Sequence, residues 1–246
     1  MTAIDAQNMH YRELNRRIRE AAAGGETEID LVNVNGQRYI ADGIGGAVRI
    51  AVHGVPGNDL GAFMDGPRVV VHGNAQDAIG NTMNGGTIVI HGDAGDVLGY
   101  GMRGGRILVR GDVGYRVGIH MKAYRSQSPV LVAGGTAGDF LGEYMAGGTL
   151  AVLGLNGRRS LPLVGDYCAT GMHGGIIYLR GDVDHSRIAG DHVAIREATE
   201  DDMRHLRPHL DEYCAEFGCD LQEILGRPFL KLAPFSHRPY GGKYAA

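Results

Sequence analysis

Tryptophan is missing from this chain of 246 residues, aromatic residues make up 7% of it, and there are eight prolines. The three cysteines, Cys168, Cys214 and Cys219, are an odd number without the spacing of a disulfide framework, so a reduced, cytoplasmic protein is expected. Lys and Arg form no run and do not interleave with aromatic residues, and the net charge is −4 with a pI near 6.2, which argues against nucleic acid as a partner. No apolar run approaches the ~20 residues of a membrane span. The opening Met-Thr-Ala-Ile-Asp lacks the basic and apolar regions of a secretion signal.

What the chain does have is glycine, at 41 positions, without a period of three or a matching excess of proline, so it is not collagenous. The glycines punctuate a phrase written six times. It reads Gly61-Ala-Phe-Met64-Asp-Gly66, Gly80-Asn-Thr-Met83-Asn-Gly85, Gly99-Tyr-Gly-Met102-Arg-Gly104, a degenerate Gly118-Ile-His-Met121, Gly142-Glu-Tyr-Met145-Ala-Gly147 and Ala169-Thr-Gly-Met172-His-Gly174. The first four copies lie 19 residues apart, and the last two follow gaps of 24 and 27. A helical repeat needs roughly 33 to 47 residues and a propeller blade roughly 40 to 45, whereas short strands joined by tight turns fit into nineteen. The unit is one coil of a solenoid. The spacing predicts an all-β fold, a right-handed single-stranded parallel β-helix.

The period-2 rule assigns faces. Ile88 and Ile90 share one side, Thr87, Val89 and His91 the other; one coil later Ile107 and Val109 repeat the first set, Leu108 and Arg110 the second. The first column is read as core, continued by Val69 and Val71, Leu150 and Val152, and Ile177 and Leu179. In-register coils about 4.8 Å apart turn each column into a ladder of like residues. Met64, Met83, Met102, Met121, Met145 and Met172 are expected to form a second internal ladder, since thioethers are ordinary core filler.

Three segments are expected: a capping helix within 1–27, the β-helix over 28–195, and a helical segment with an extended arm over 196–246. Tyr11, Leu14, Ile18 and Ala21 or Ala22 share a helical face that Gly24-Gly25 terminates. Thr199-Glu-Asp-Asp202 reads as a capping box before Met203, Leu206, Leu210, Tyr213 and Phe217 at helical spacing. Pro208 is expected to kink or split that helix. Gly218 ends it, and Asp220 caps a short helix to Leu225. Residues 227–246 read as an arm lying on a surface.

The chemical motifs are thin. Gly99-Tyr-Gly101-Met-Arg-Gly104 matches a dinucleotide fingerprint in letters, but it sits inside a repeat rather than between a strand and a helix. His53, His72 and His91 stand 19 apart and should stack outside, continued by Arg110; a polar ladder is favoured over a shared metal. Asp166, Cys168 and His173 are near in sequence, yet His173 occupies a repeat position filled by Asp, Asn, Arg, Lys or Ala elsewhere. Cys214 and Cys219 are two thiols, too few to complete an iron–sulfur or structural zinc site. A solenoid enzyme acting on polysaccharide needs converging carboxylates, whereas Asp93, Asp112 and Asp182 recur at corners. No catalytic, cofactor-binding or metal-ligating residue is assigned. In the arm, Phe235, Arg238, Tyr240 and Tyr244 are the candidate partner interface, aromatic plus Arg anchors among Pro228, Pro234 and Pro239.

The repeated glycine phrases, the stretch from Ser128 to Gly148, Gly154-Leu-Asn-Gly-Arg158 and His237-Arg-Pro-Tyr-Gly241 together resemble the GXGXG domain of glutamate synthases. The resemblance implies a right-handed β-helix without catalytic residues of its own, a structural subunit of a glutamate synthase-like or N-methylglutamate synthase (methylamine–glutamate N-methyltransferase) complex. It would bridge a glutamine amidotransferase-like subunit and an FMN-dependent synthase subunit. The FMN and iron–sulfur cluster would lie on that partner, and Thr2 stands where the amidotransferase's cysteine nucleophile would be. The alternative relative is the GXGXG-type subunit of formylmethanofuran dehydrogenase, or its counterpart in the formyltransferase/hydrolase complex.

Overall fold

The computed structural model describes residues 2–156 and 161–236. Its centre is a single sheet of eleven strands in the order β1-β2-β3-β4-β5-β6-β7-β8-β9-β11-β10. The strands are β1 (Thr2–Asp5), β2 (Glu28–Asn35), β3 (Arg49–Val55), β4 (Arg68–Val71), β5 (Thr87–Ile90), β6 (Arg106–Val109), β7 (Val130–Ala133), β8 (Ala146–Val152), β9 (Gly174–Arg180), β10 (Val193–Glu197) and β11 (Phe229–Pro234). From β1 to β9 every neighbour is parallel and next in sequence. The fold is thus the parallel β-solenoid that the 19-residue repeat predicts.

The register follows the sequence reading residue by residue. Val69 stands beside Ile88, Ile88 beside Ile107, Ile107 beside Leu131, Leu131 beside Leu150 and Leu150 beside Ile177. This column, its companion Val71, Ile90, Val109, Val152 and Leu179, and all six ladder methionines are fully buried. The first glycine of each phrase meets two demands at once. At Gly80 φ is 71°, and an added Cβ would lie 2.5 Å from Ile107 Cδ1, so both the left-handed turn and the close approach favour glycine. Ala169 adopts the same turn at φ 64° in the sixth copy.

The outer column departs from expectation, because it is covered. Val70, Val89, Leu108, Val132, Ala151 and Tyr178 are buried. Helix α2 (Glu200–Phe217) packs Leu206, Leu210, Tyr213 and Cys214 against Leu108, Val132, Ala151 and Tyr178 in a second core. Gly134 follows Arg110 in the His53, His72, His91 column, and a Cβ there would stand 1.9 Å from the Tyr213 hydroxyl; glycine is what lets the helix approach.

The ends are closed by different devices. Helix α1 (Tyr11–Ala23) is capped by His10 and stopped at Gly24, and its Leu14 and Ile18 join the main core beside Ile4 and Ile29. Helix α2 begins on a reciprocal capping box of Thr199 and Asp202 and ends at Gly218, φ 68°. It is continuous through Pro208, so the helix is not split there; the packing of its apolar face on the sheet outweighs the lost intrahelical bond. Asp220 caps α3 (Leu221–Leu225). The arm is also corrected in part: Phe229–Pro234 is strand β11, antiparallel to both β9 and β10, with Phe229 buried. Antiparallel pairing ends the parallel stack and removes the exposed edge of β9.

Lys231 of β11 forms an ion pair with Asp202 of the capping box, with both side chains about nine-tenths buried. Burial opposes ionisation of Asp202, but Lys231 and Thr199 outweigh it and bring the carboxyl from its ordinary 3.8 to about 2. Because the folded value lies below the unfolded one, this stabilisation is present above pH ~4 and is lost as pH falls toward ~2. Lys231→Ala should lower stability at neutral pH by about 3 kcal/mol, as expected for a buried charge stripped of its partner. In denaturant titrations the gap from wild type should narrow below pH ~4, and a gap that widened there would refute the assignment.

Ile90→Asp places an unpaired charge in the stacked core and should unfold the solenoid, since its cost of several kcal/mol is set against a total of about 5–15. His91→Ala removes an edge contact 5.3 Å from Phe217 and should cost about 1 kcal/mol. Thermal melting of the two variants decides: a more damaging His91→Ala would exchange inside for outside.

Candidate functional site

The histidine column stacks as its 19-residue spacing requires. His53 and His72 lie 4.7 Å apart and His72 and His91 5.4 Å apart, each pair tilted by only 12°. Parallel rings hold their nitrogens side by side instead of converging them on one ion at ~2.1 Å. Carboxylates terminate the column: Asp30 Oδ1 is 2.9 Å from His53 Nε2, and Glu216 Oε1 of α2 is 3.9 Å from His91 Nε2. Partial burial, then the neighbouring His53 and His91 imidazoles, hold His72 below its ordinary value. Glu216 also pairs with Arg68, and Glu212 of α2 lies 3.0 Å from Arg106. The ladder is therefore a polar seam whose His91 end meets α2. Among the described residues no group of three or more His, Cys, Asp or Glu is arranged to hold a metal.

The corner carboxylates have a structural task that the sequence reading did not identify. Asn74 accepts the Asp93 N–H at 2.9 Å, Asp93 the Asp112 N–H at 2.8 Å, and Asp112 the Thr136 N–H at 2.7 Å. A second column repeats this from Asp77 to the Asp96 N–H, from Asp96 to the Tyr115 N–H, and from Asp139 to the Asp166 N–H. Each side chain ties its corner to the next coil. The first column was visible in the recurring Gly-Asp; the second follows only once the coil register is known.

The remaining motifs do not assemble. Residues 99–104 lead into strand β6, and no helix opens after them to receive a pyrophosphate. Cys168 is fully buried, which pushes its thiol up to about 12; Asp166 is engaged 2.6 Å from Arg187 Nη1, and the His173 ring lies 3.1 Å from the Gly171 carbonyl. Cys214 and Cys219 are free thiols with sulfurs 2.9 Å apart, and burial raises the Cys214 thiol to about 12. Of the arm residues, Phe235 is 72% exposed just past β11, where its N–H donates to the His192 carbonyl. Arg238, Tyr240 and Tyr244 lie outside the described residues.

Rings that are exposed, apart from the half-buried Phe140, form two further columns in which no residue of α2 takes part. Tyr100, His120 and Tyr144 follow one another at 5.9 and 5.4 Å; Tyr115, Phe140 and Tyr167 do so at 5.4 and 4.9 Å, with Arg116 over Tyr115 and Phe140. Tyr167 is 60% exposed. These rings are spread along the chain and meet only through the coil register. None of the described helices is long and apolar enough to cross a membrane.

Comparison with known proteins places this architecture. An uncharacterized protein of Methanocaldococcus jannaschii is 50% identical over 249 residues, covering 98% of this chain and 95% of that protein. A chain of the formyltransferase/hydrolase complex of Methylorubrum extorquens, solved in complex with methylofuran, is similar in fold with a TM-score of 0.63. It is 22% identical, and the match covers 83% of this chain and 73% of that one. This finding overturns the expected role as a bridge between an amidotransferase-like and an FMN/iron–sulfur synthase subunit. The solved relative comes from the kind of assembly held as the alternative, and that relative is part of a multisubunit complex. The family model described as the GXGXG motif matches residues 27–234, nearly the whole solenoid together with its closing strand, and the chain belongs to that family.

Proposed function

We propose that this chain is a non-catalytic solenoid subunit of a hetero-oligomeric complex that transfers or hydrolyses formyl groups. Such a complex is of the formyltransferase/hydrolase or formylmethanofuran dehydrogenase kind. The observation that carries the reading is the fold likeness over 83% of the chain to a member of such a complex. The ionisable groups add support. Six of the carboxylates are committed to structure: Asp93, Asp96, Asp112 and Asp139 to neighbouring coils, Asp202 to Lys231, and Glu216 to Arg68. A rigid ladder with exposed aromatic columns is suited to bracing catalytic partners, since aromatic and Arg side chains dominate interface energetics. The arm is part of this proposal, with Phe235, Arg238, Tyr240 and Tyr244 as anchors on a partner, and no cofactor is assigned to this chain.

Purification of the tagged chain from its native cells tests the reading. It should elute at fixed stoichiometry with subunits carrying formyltransferase and formyl-hydrolase activity, and formate release should belong to the complex and not to the isolated chain. Elution of the chain by itself, or formate release by the chain alone, would refute it. Replacing Phe235, Arg238, Tyr240 and Tyr244 together by Ala should weaken assembly about tenfold or more while leaving the melting temperature unchanged. Full assembly of that variant would remove the arm from the interface.

A further inference from the structure

The position after each ladder methionine forms a column of its own, Asp65, Asn84, Arg103, Lys122, Ala146 and His173, as the backbone bonds from Arg103 to Met83 and from Lys122 to Met102 establish. In its middle two cations stand in successive coils. Like charges directly opposite across a ladder are destabilising, and elsewhere this chain neutralises such groups: Arg68 and Arg106 face Glu216 and Glu212, and Arg116 lies 2.9 Å from Glu143. Neither Arg103 nor Lys122 has a carboxylate partner among the described residues. The Nε of Arg103 is buried and without a hydrogen-bond partner, and a buried donor of this kind calls for an acceptor.

Both residues line an open cleft of about 540 Å³ to which α2 contributes no residue. Its other walls include Thr82, the Tyr100–His120–Tyr144 ring column, and His173. Among the described residues the lining contains no carboxylate. Three other clefts differ in this respect: that of about 470 Å³ includes Glu197 and Glu200, that of about 630 Å³ Asp182 and Glu223, and the second of about 540 Å³ Asp93, Asp220 and Glu223. A guanidinium offers a planar fork, an ammonium a point charge, and the Tyr hydroxyls can donate as well. That set matches an oxyanion, since bonds from charged donors to an anion are shorter and stronger than neutral ones.

We propose that the cleft around Arg103 and Lys122 binds a phosphate or carboxylate oxyanion, with Tyr100, His120 and Tyr144 as its aromatic wall. The proposal is independent of which complex the chain enters.

Calorimetric titration of the full chain with inorganic phosphate and, separately, with citrate tests it. At least one probe should bind saturably with a Kd of about 1 mM or tighter, and Arg103→Gln and Lys122→Gln should each weaken that binding by about tenfold or more. Arg204→Gln, on the exposed side of α2, should leave it unchanged. Response to phosphate alone assigns a phosphate-bearing ligand, and response to citrate alone a carboxylate-bearing one. Circular dichroism reports whether each variant folds; should Arg103→Gln not fold, Lys122→Gln decides alone. No saturable binding of either probe, or binding that survives loss of both cations, overturns the site.

Discussion

Everything in this molecule depends on the backbone ladder that joins each coil to the one before it. Where strands stack in parallel and in register, a residue's neighbours are fixed one coil away, so each position of the repeat becomes a column with one environment along its length. Column-wise consistency is then a condition of folding: Val69, Ile88, Ile107, Leu131, Leu150 and Ile177 are all β-branched or Leu because each packs on its predecessor. The methionine column tolerates the unequal gaps of 24 and 27 residues because the extra residues lie between one phrase and the next. The corner carboxylates belong to the same constraint. A corner breaks the strand, its N–H groups lose regular partners, and Asn74, Asp93, Asp112, Asp77, Asp96 and Asp139 supply acceptors from the preceding coil.

A stack that satisfies itself coil by coil has no internal reason to stop, so its ends need separate treatment. At one end β1 adds a parallel strand and α1 lays Leu14 and Ile18 over the open core. At the other, β11 arrives in the opposite direction and β10 pairs outside it. The chain reaches β11 only after α2 and α3 have crossed the outer face. One excursion therefore covers the sheet and closes its edge, and the buried Lys231–Asp202 pair fastens the start of the crossing helix to the strand that ends it.

Most of the solenoid was legible in the sequence because periodicity is a local signal that repetition amplifies. The core columns, the methionine ladder, the stacked histidines and the caps at Gly24, Thr199, Gly218 and Asp220 all follow from spacing and residue type. What was not legible is what occurs once. The apolar face of α2 could be read, but not which surface it covers, and so Val89 and Leu108 were expected to face solvent. Gly134 shows why: its lack of a side chain looks like another corner glycine until Tyr213 is placed beside it. Strand β11 was hidden for a related reason, since Phe229–Pro234 is short, flanked by prolines and paired with a strand about 50 residues away in sequence. Pro208 does not split α2, because a local rule about proline yields to the packing of the helix's apolar face on the sheet. The assembly context was misjudged from the glycine phrases, which report the scaffold and not the partners it serves.

The same column logic constrains where specificity is located. A side chain repeated along a ladder can hardly recognise one particular group, because its neighbours present the same chemistry a coil away. Recognition must reside where a column changes character. The histidine column does so at Arg110 and Gly134, and α2 occupies that break with Phe217 and Tyr213. The column after the methionines changes from Asp65 and Asn84 to Arg103 and Lys122, beside the rings of Tyr100, His120 and Tyr144, and no element of this chain's described residues lies over that break as α2 lies over the other. Charge follows the same division. On the covered face Arg68 and Arg106 meet Glu216 and Glu212 of α2, so the cost of stacking like charges is offset within the chain; at Arg103 and Lys122 no carboxylate of the described residues does the same, and a bound anion would lower their mutual repulsion.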